Sequence, residues 1–148
     1  MANTSDVQKL REITGAGVMD CKKALEEAGG DMDRAVQVIH EKGITKVEKR
    51  AGRETGAGLI ESYTHNERIG AILELRAETD FVVRSEPFRK LAHELAMQIA
   101  AADPTDPESL LAQPYIKDES ITVGELVNRV IAQVGENVKV GKFYRIEV

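Results

Sequence analysis

Between Ile69 and Ile99 the apolar residues change their period. Ile69, Ala71, Leu73, Leu75 and Ala77 recur at every second position, which puts all five on one face of an extended strand. Phe88, Leu91, Ala92, Leu95, Ala96 and Ile99 then recur at helical spacing and form one apolar stripe. The two periods predict a half-buried strand followed by an amphipathic helix. The connection between them, 78–84, carries an acid, a phenylalanine and two valines. The chain has three Phe in 148 residues, so an aromatic in a connection needs a reason. The residues alone leave two open: Phe81 packs beneath the helix, or it is presented to a partner.

The rest of the second part follows from this centre. Residues 59–64 read as a strand, His65-Asn66-Glu67-Arg68 as a turn, and 69–77 as the antiparallel partner. The helix is expected from about 85 to 102, with Pro87 in its first turn, where a missing N–H costs nothing. The run 103–107, with two Pro and two Asp, breaks the chain. A short helical piece over 108–112 precedes a polar loop to Ser120. Thr122 and Glu125 form a capping-box pattern for a helix carrying Leu126, Val127, Val130, Ile131 and Val134, which Gly135 ends. Val138, Val140, Phe143, Tyr144, Ile146 and Val148 are β-prone, with Gly141 marking a bulge or bend. The order β-β-α-α-β predicts a three-stranded antiparallel sheet with helices on one face. A sheet that small keeps exposed edges and part of a bare face, and both invite partners.

The first part reads as three short helices. Ser5 is expected to cap the first, which carries Val7, Leu10 and Ile13 and ends at Gly15 and Gly17. Cys21, Ala24, Leu25 and Ala28 mark the second, which stops at Gly29-Gly30. Asp31 caps the third, with Met32, Ala35, Val36 and Ile39 as its stripe and Gly43 as its end. Each is too short to stand alone, and together they bury a small common core. The fold class expected is therefore α+β, with a three-helix domain over 1–43, a basic connector over 44–55 and a core domain over 56–148.

Charge and composition exclude several functions. The net charge is −5, split as +1 over residues 1–53 and −6 over 54–148. Strong nucleic-acid binding needs a surplus of Lys and Arg, so none is expected. No run approaches the roughly 18 apolar residues of a membrane helix, and the first residues lack the basic and apolar regions of a signal peptide. One cysteine cannot form an internal disulfide. These features point to the cytoplasm.

Enzyme signatures are weak. His40, His65 and His93 have no metal-ligand spacing, and Cys21 has no CxxC partner. Gly56-Ala57-Gly58 precedes a strand, whereas a phosphate-binding loop follows one and opens a helix. Glu78 and Asp80 are two residues apart with nothing to orient them for acid–base work. No enzymatic activity and no cofactor are expected. Recognition remains, either by an interaction adaptor or by a factor acting on one partner.

The run Leu10-Arg11-Glu12-Ile13-Thr14-Gly15-Ala16-Gly17-Val18-Met19-Asp20-Cys21-Lys22-Lys23-Ala24-Leu25 resembles the start of elongation factor Ts, the guanine-nucleotide exchange factor of elongation factor Tu. Glu78-Thr79-Asp80-Phe81-Val82 resembles that family's hallmark, and Gly135-Glu136-Asn137-Val138 its ending. The resemblance implies that the first domain is of the ubiquitin-associated type and the second is the family's core. It implies as partner a GTPase that holds GDP with the help of Mg²⁺. Phe81 would wedge beside the Mg²⁺ site, with Asp80 as its polar neighbour and Thr79 and Val82 holding the turn. Arg11, Val18 and Met19 would touch the nucleotide domain of elongation factor Tu. Many members have Met where this chain has Val18. Longer members have a core of two related halves, so a chain with one half is expected to pair with a second copy as a homodimer.

Overall fold

The computed structural model describes residues 2–148 and separates them into two units, the first ending at Ala51 and the second beginning at Gly52. Three helices make the first: α1 (Thr4–Thr14), α2 (Val18–Glu27) and α3 (Met32–Arg50). Leu10, Cys21, Ala24, Leu25, Ala28 and Ala35 form its buried core, with Val7, Met32, Val36 and Ile39 packed around it. Most of these are small, which lets short helices approach closely. Asn3, not Ser5, caps α1: its side-chain oxygen accepts the Ser5 N–H at 3.1 Å, so the helix starts earlier than the capping-box pattern implies. Gly15 closes α1 in the left-handed conformation, φ 70°. Asp31 caps α3 as expected, accepting from Arg34 N–H at 3.1 Å.

Helix α3 does not stop at Gly43. It continues to Arg50, so 44–50 are helical. A glycine in a helix interior costs only about 1 kcal/mol against alanine, and the extra turns have support. Lys42 Nζ and Lys46 Nζ, one turn apart, reach Glu27 of α2 at 2.7 Å and Asp20 of α2 at 3.1 Å. Lys49 and Arg50 in the last turn suit the negative end of the helix.

The second unit is a mixed α+β fold. Its elements are β1 (Ala57–His65), β2 (Ile69–Ala77), α4 (Asp80–Val83), α5 (Glu86–Ala102), α6 (Pro107–Ala112), β3 (Pro114–Tyr115), β4 (Asp118–Thr122), α7 (Val123–Val134) and β5 (Val138–Glu147). The three-stranded sheet has the order β1-β2-β5, antiparallel throughout, with β2 in the centre. Ala71, Leu73, Leu75 and Ala77 of β2 are buried, as the period of two requires. Phe88, Leu91, Ala92, Leu95, Ala96 and Ile99 of α5 are buried as well, and α5 packs on β1 and β2. The opposite face of the sheet leaves Ile60, Ile72, Tyr144 and Ile146 exposed; Ile72 and Tyr144 are cross-strand partners. The register of β2 and β5 shifts between Leu73 and Leu75, opposite Gly141. A Cβ at Gly141 would meet the carboxylate end of Glu74, so that side chain would have to swing aside for any other residue there.

Two elements depart from the sequence reading. Residues 80–83 form a one-turn helix, where an irregular connection was expected. Where a polar loop to Ser120 was expected, β3 and β4 form a two-stranded sheet that runs on to Thr122. This hairpin is held by polar residues of α5, which hydropathy patterns do not register. Glu94, buried, accepts from Tyr115 Oη at 2.8 Å and from Lys117 Nζ at 2.8 Å. Gln98, also buried, donates to the Pro114 carbonyl at 3.1 Å and accepts from Ile116 N–H at 3.0 Å.

Candidate functional site

Helix α4 stands at the end of the sheet where β2 and β5 are last paired, Ala77 opposite Val138. Thr79 is its N-cap: extended backbone, with the side-chain oxygen accepting the Val82 N–H at 3.4 Å. Ser85 closes the other end by donating its hydroxyl to the Val82 carbonyl at 2.6 Å. Val82 and Val83 are buried beneath the turn. One helical turn can turn only part of its surface to the core, and Phe81 takes the other side. It is 85% exposed. Core packing of Phe81 within this chain is thereby ruled out, and Asp80 beside it is exposed too.

A polar interlock ties this turn to the chain entering β5. Glu136 accepts the Thr79 N–H at 3.0 Å through one carboxylate oxygen and the Thr79 hydroxyl at 2.8 Å through the other. Reciprocally, Glu78 accepts the Asn137 N–H at 2.8 Å. Asn137, buried, donates its amide to the Arg53 carbonyl at 3.0 Å, and Arg53 lies 3.6 Å from the Glu78 carboxylate. Gly135, left-handed at φ 77°, ends α7 and turns the chain so that Glu136 faces Thr79. Sequence reasoning noted Gly135 to Val138 without a role for it. The contact spans 57 positions, beyond any local pattern.

The other expected contact residues belong to the first unit. Val18 opens α2 and is half exposed; Met19 follows it at 61% exposure, and Arg11 is exposed on the last turn of α1. Gly17, the N-cap of α2, offers no side-chain bond to the helix. Ile13, read as a core residue from its spacing, is 62% exposed. Cys21 is fully buried, and burial pushes its thiol above the ordinary range, offset in part by Thr14. That leaves little thiolate for chemistry.

Among the described residues no group of three or more His, Cys, Asp and Glu is placed to hold a metal ion. No described helix is long and apolar enough to cross a membrane. The titrating groups that do shift are structural. Burial raises the Glu94 carboxyl, but the bonds from Lys117 and Tyr115 outweigh it and hold the group below its usual value. The Tyr115 hydroxyl is pushed up, by burial and by Glu94.

The site is thus an exposed aromatic and carboxylate on a turn braced at both ends. The family model described as Elongation factor TS matches residues 78–148. An elongation factor Ts of Thermotoga petrophila is 40% identical, the match covering 96% of this chain and 94% of that one. One of Solidesulfovibrio magneticus is 39% identical, covering 97% and 95%. One of Gloeothece citriformis is 43% identical over 94% of this chain, which spans 65% of that relative's length. The chain belongs to the elongation factor Ts family. The Thermotoga match extends over 186 positions, more than the 148 residues of this chain, so that relative holds residues inside the matched span that this chain lacks.

Proposed function

We propose that this chain is a translation elongation factor that binds elongation factor Tu·GDP, promotes GDP release and stays bound until GTP arrives. The observation that carries the reading is Phe81, an aromatic 85% exposed on a short helix fixed at both ends. A free exposed Phe is unfavourable, and a rigid aromatic is well suited to a partner's pocket because few torsions are frozen on binding. In this reading Phe81 enters beside the Mg²⁺ and phosphate site of the GTPase, Asp80 makes the adjoining polar contact, and Thr79 and Val82 hold the turn. Arg11, Val18 and Met19 of the three-helix domain make the second contact. That domain is of the ubiquitin-associated type, ending in the basic stretch before the core.

No bond is made or broken on this chain, so it is not an enzyme. It acts by linkage: a factor that prefers the nucleotide-free GTPase weakens GDP by the ratio in which GDP weakens the factor. The work belongs in the cytoplasm and needs no cofactor, nucleic acid or membrane. A second copy of the chain would cover the apolar end of the open sheet face, Ile60, Ile72, Tyr144 and Ile146. Release of fluorescent GDP from elongation factor Tu tests the central claim. No acceleration at micromolar concentrations of this protein would refute it. Sedimentation tests the dimer, and a monomer throughout the micromolar range would remove it.

A further inference from the structure

We infer that Glu136 is a positioning residue for Phe81: it orients α4 through the Thr79 hydroxyl. The inference rests on the exchange reading above and adds to it a residue 55 positions downstream, to which that reading gives no role.

The Thr79 hydroxyl has one proton and two lone pairs. Its proton goes to Glu136 at 2.8 Å, which leaves a lone pair for the Val82 N–H at 3.4 Å. The carboxylate thus fixes the rotor that caps α4. Its second oxygen fixes the backbone of the same residue, through the Thr79 N–H. The two bonds hold Thr79 at two points, which restrains pivoting of the turn about that residue. Two positions from Thr79, Phe81 projects from α4 with nothing above it. A small rotation at the cap would swing the ring by a larger distance at its rim.

The clasp continues the antiparallel pairing of β2 and β5 past Ala77 and Val138, with carboxylates standing in for backbone carbonyls: Glu78 takes Asn137, and Glu136 takes Thr79. Buried Asn137 anchors the inner half and ties it to Arg53. The outer half, at Thr79, lies in water. Exposed bonds add little to global stability, because water replaces them on unfolding. Their effect is on direction, which is the property a protruding aromatic requires.

The chain contains no Trp, so Phe81→Trp supplies a single reporter at the tip of the turn. Its fluorescence anisotropy is read in the free protein, with and without Glu136→Ala, and far-UV circular dichroism confirms that the fold persists. Glu136→Ala is expected to lower the anisotropy, and Glu136→Gln, which retains one acceptor oxygen, to restore part of it. In the GDP-release assay, with Phe81 present, Glu136→Ala is expected to slow exchange roughly ten-fold, the scale for losing a hydrogen bond to a charged group. In the Phe81→Ala background the same change is expected to add almost nothing. An unchanged anisotropy overturns the inference, as does a full ten-fold loss in the Phe81→Ala background. If the anisotropy falls but Phe81→Ala exchanges like the unaltered protein, the exchange reading fails while the clasp stands.

Discussion

The two units present exposed apolar side chains by different means. In the first, Val18 and Met19 stand at the start of a helix whose N-cap is glycine, over a small helical core and beside Asp20, which pairs with Lys46 of α3. In the second, Phe81 stands on a turn capped by Thr79, closed by Ser85 and clasped by Glu136. Both surfaces cost solvation free energy. Only in the second is the end of the presenting helix itself capped and clasped by side chains. The difference teaches that exposure alone does not mark how a contact is used: the first surface can settle on a partner, whereas the second is aimed.

The comparison can be broken in its support. Leu10→Ala removes a fully buried side chain from the first unit and is expected to cost about 2–5 kcal/mol. That is most of what so small a core supplies. Hydrogen exchange should show lost protection over 4–50 with β2 and α5 still protected. Equal loss in both would mean that the units do not hold their structure separately.

Phe81→Ala comes next. It should leave the thermal transition in place, because the ring touches solvent, and should weaken the complex with elongation factor Tu by about 2–4 kcal/mol, or roughly 30- to 1,000-fold. Titration calorimetry with the nucleotide-free GTPase measures it. Met19→Ala, on the less constrained surface, is expected to cost about 1 kcal/mol in the same titration. A loss as large as that of Phe81 would cancel the distinction between the surfaces.

A pH test separates framework from site. The folded-state pKa of Glu94 is depressed, so its contribution is complete above the unfolded value near 4.3 and disappears as pH falls through the folded value below it. Amide protection in β3 and β4 should therefore weaken below about pH 4, while Glu94→Gln should show no such acid loss. The smallest effect is expected from Val18→Met, which lengthens an exposed side chain and should tighten the complex by a few tenths to about 1 kcal/mol.

Much of the second unit was legible because a period of two and a period of 3.6 adjoin each other without overlap. The three antiparallel strands and the irregularity at Gly141 follow from apolar spacing and one glycine; the order β1-β2-β5 came only with the fold. Helix α4 was not legible, because four residues are too few to show a period; the signal was Thr79 three places before Val82, a capping distance. Gly43 misled because glycine permits a left-handed helix end without requiring one: Gly15 and Gly135 take that conformation, Gly43 does not, and the helix runs on through Lys46, which pairs with Asp20. The hairpin of β3 and β4 escaped because Glu94 and Gln98 hold it with hydrogen bonds. The clasp escaped for a related reason: Thr79 and Glu136 meet only once β2 and β5 have paired. That Phe81 stands in solvent needed the fold, since hydrophobicity alone argued equally for the core.

The bulge in β5 limits how this chain can change. Lys142 donates its backbone N–H to Glu74, and Arg76 grips the same carboxylate at 2.8 Å, which presses it against Gly141. Any side chain at 141 must first displace that carboxylate. Exchanging Glu74 for a smaller residue would open the space, whereas with Glu74 in place a side chain at 141 would cost the carboxylate its bonds to Arg76. Two positions far apart in sequence are thus coupled: what a side chain at 141 costs depends on which residue stands at 74.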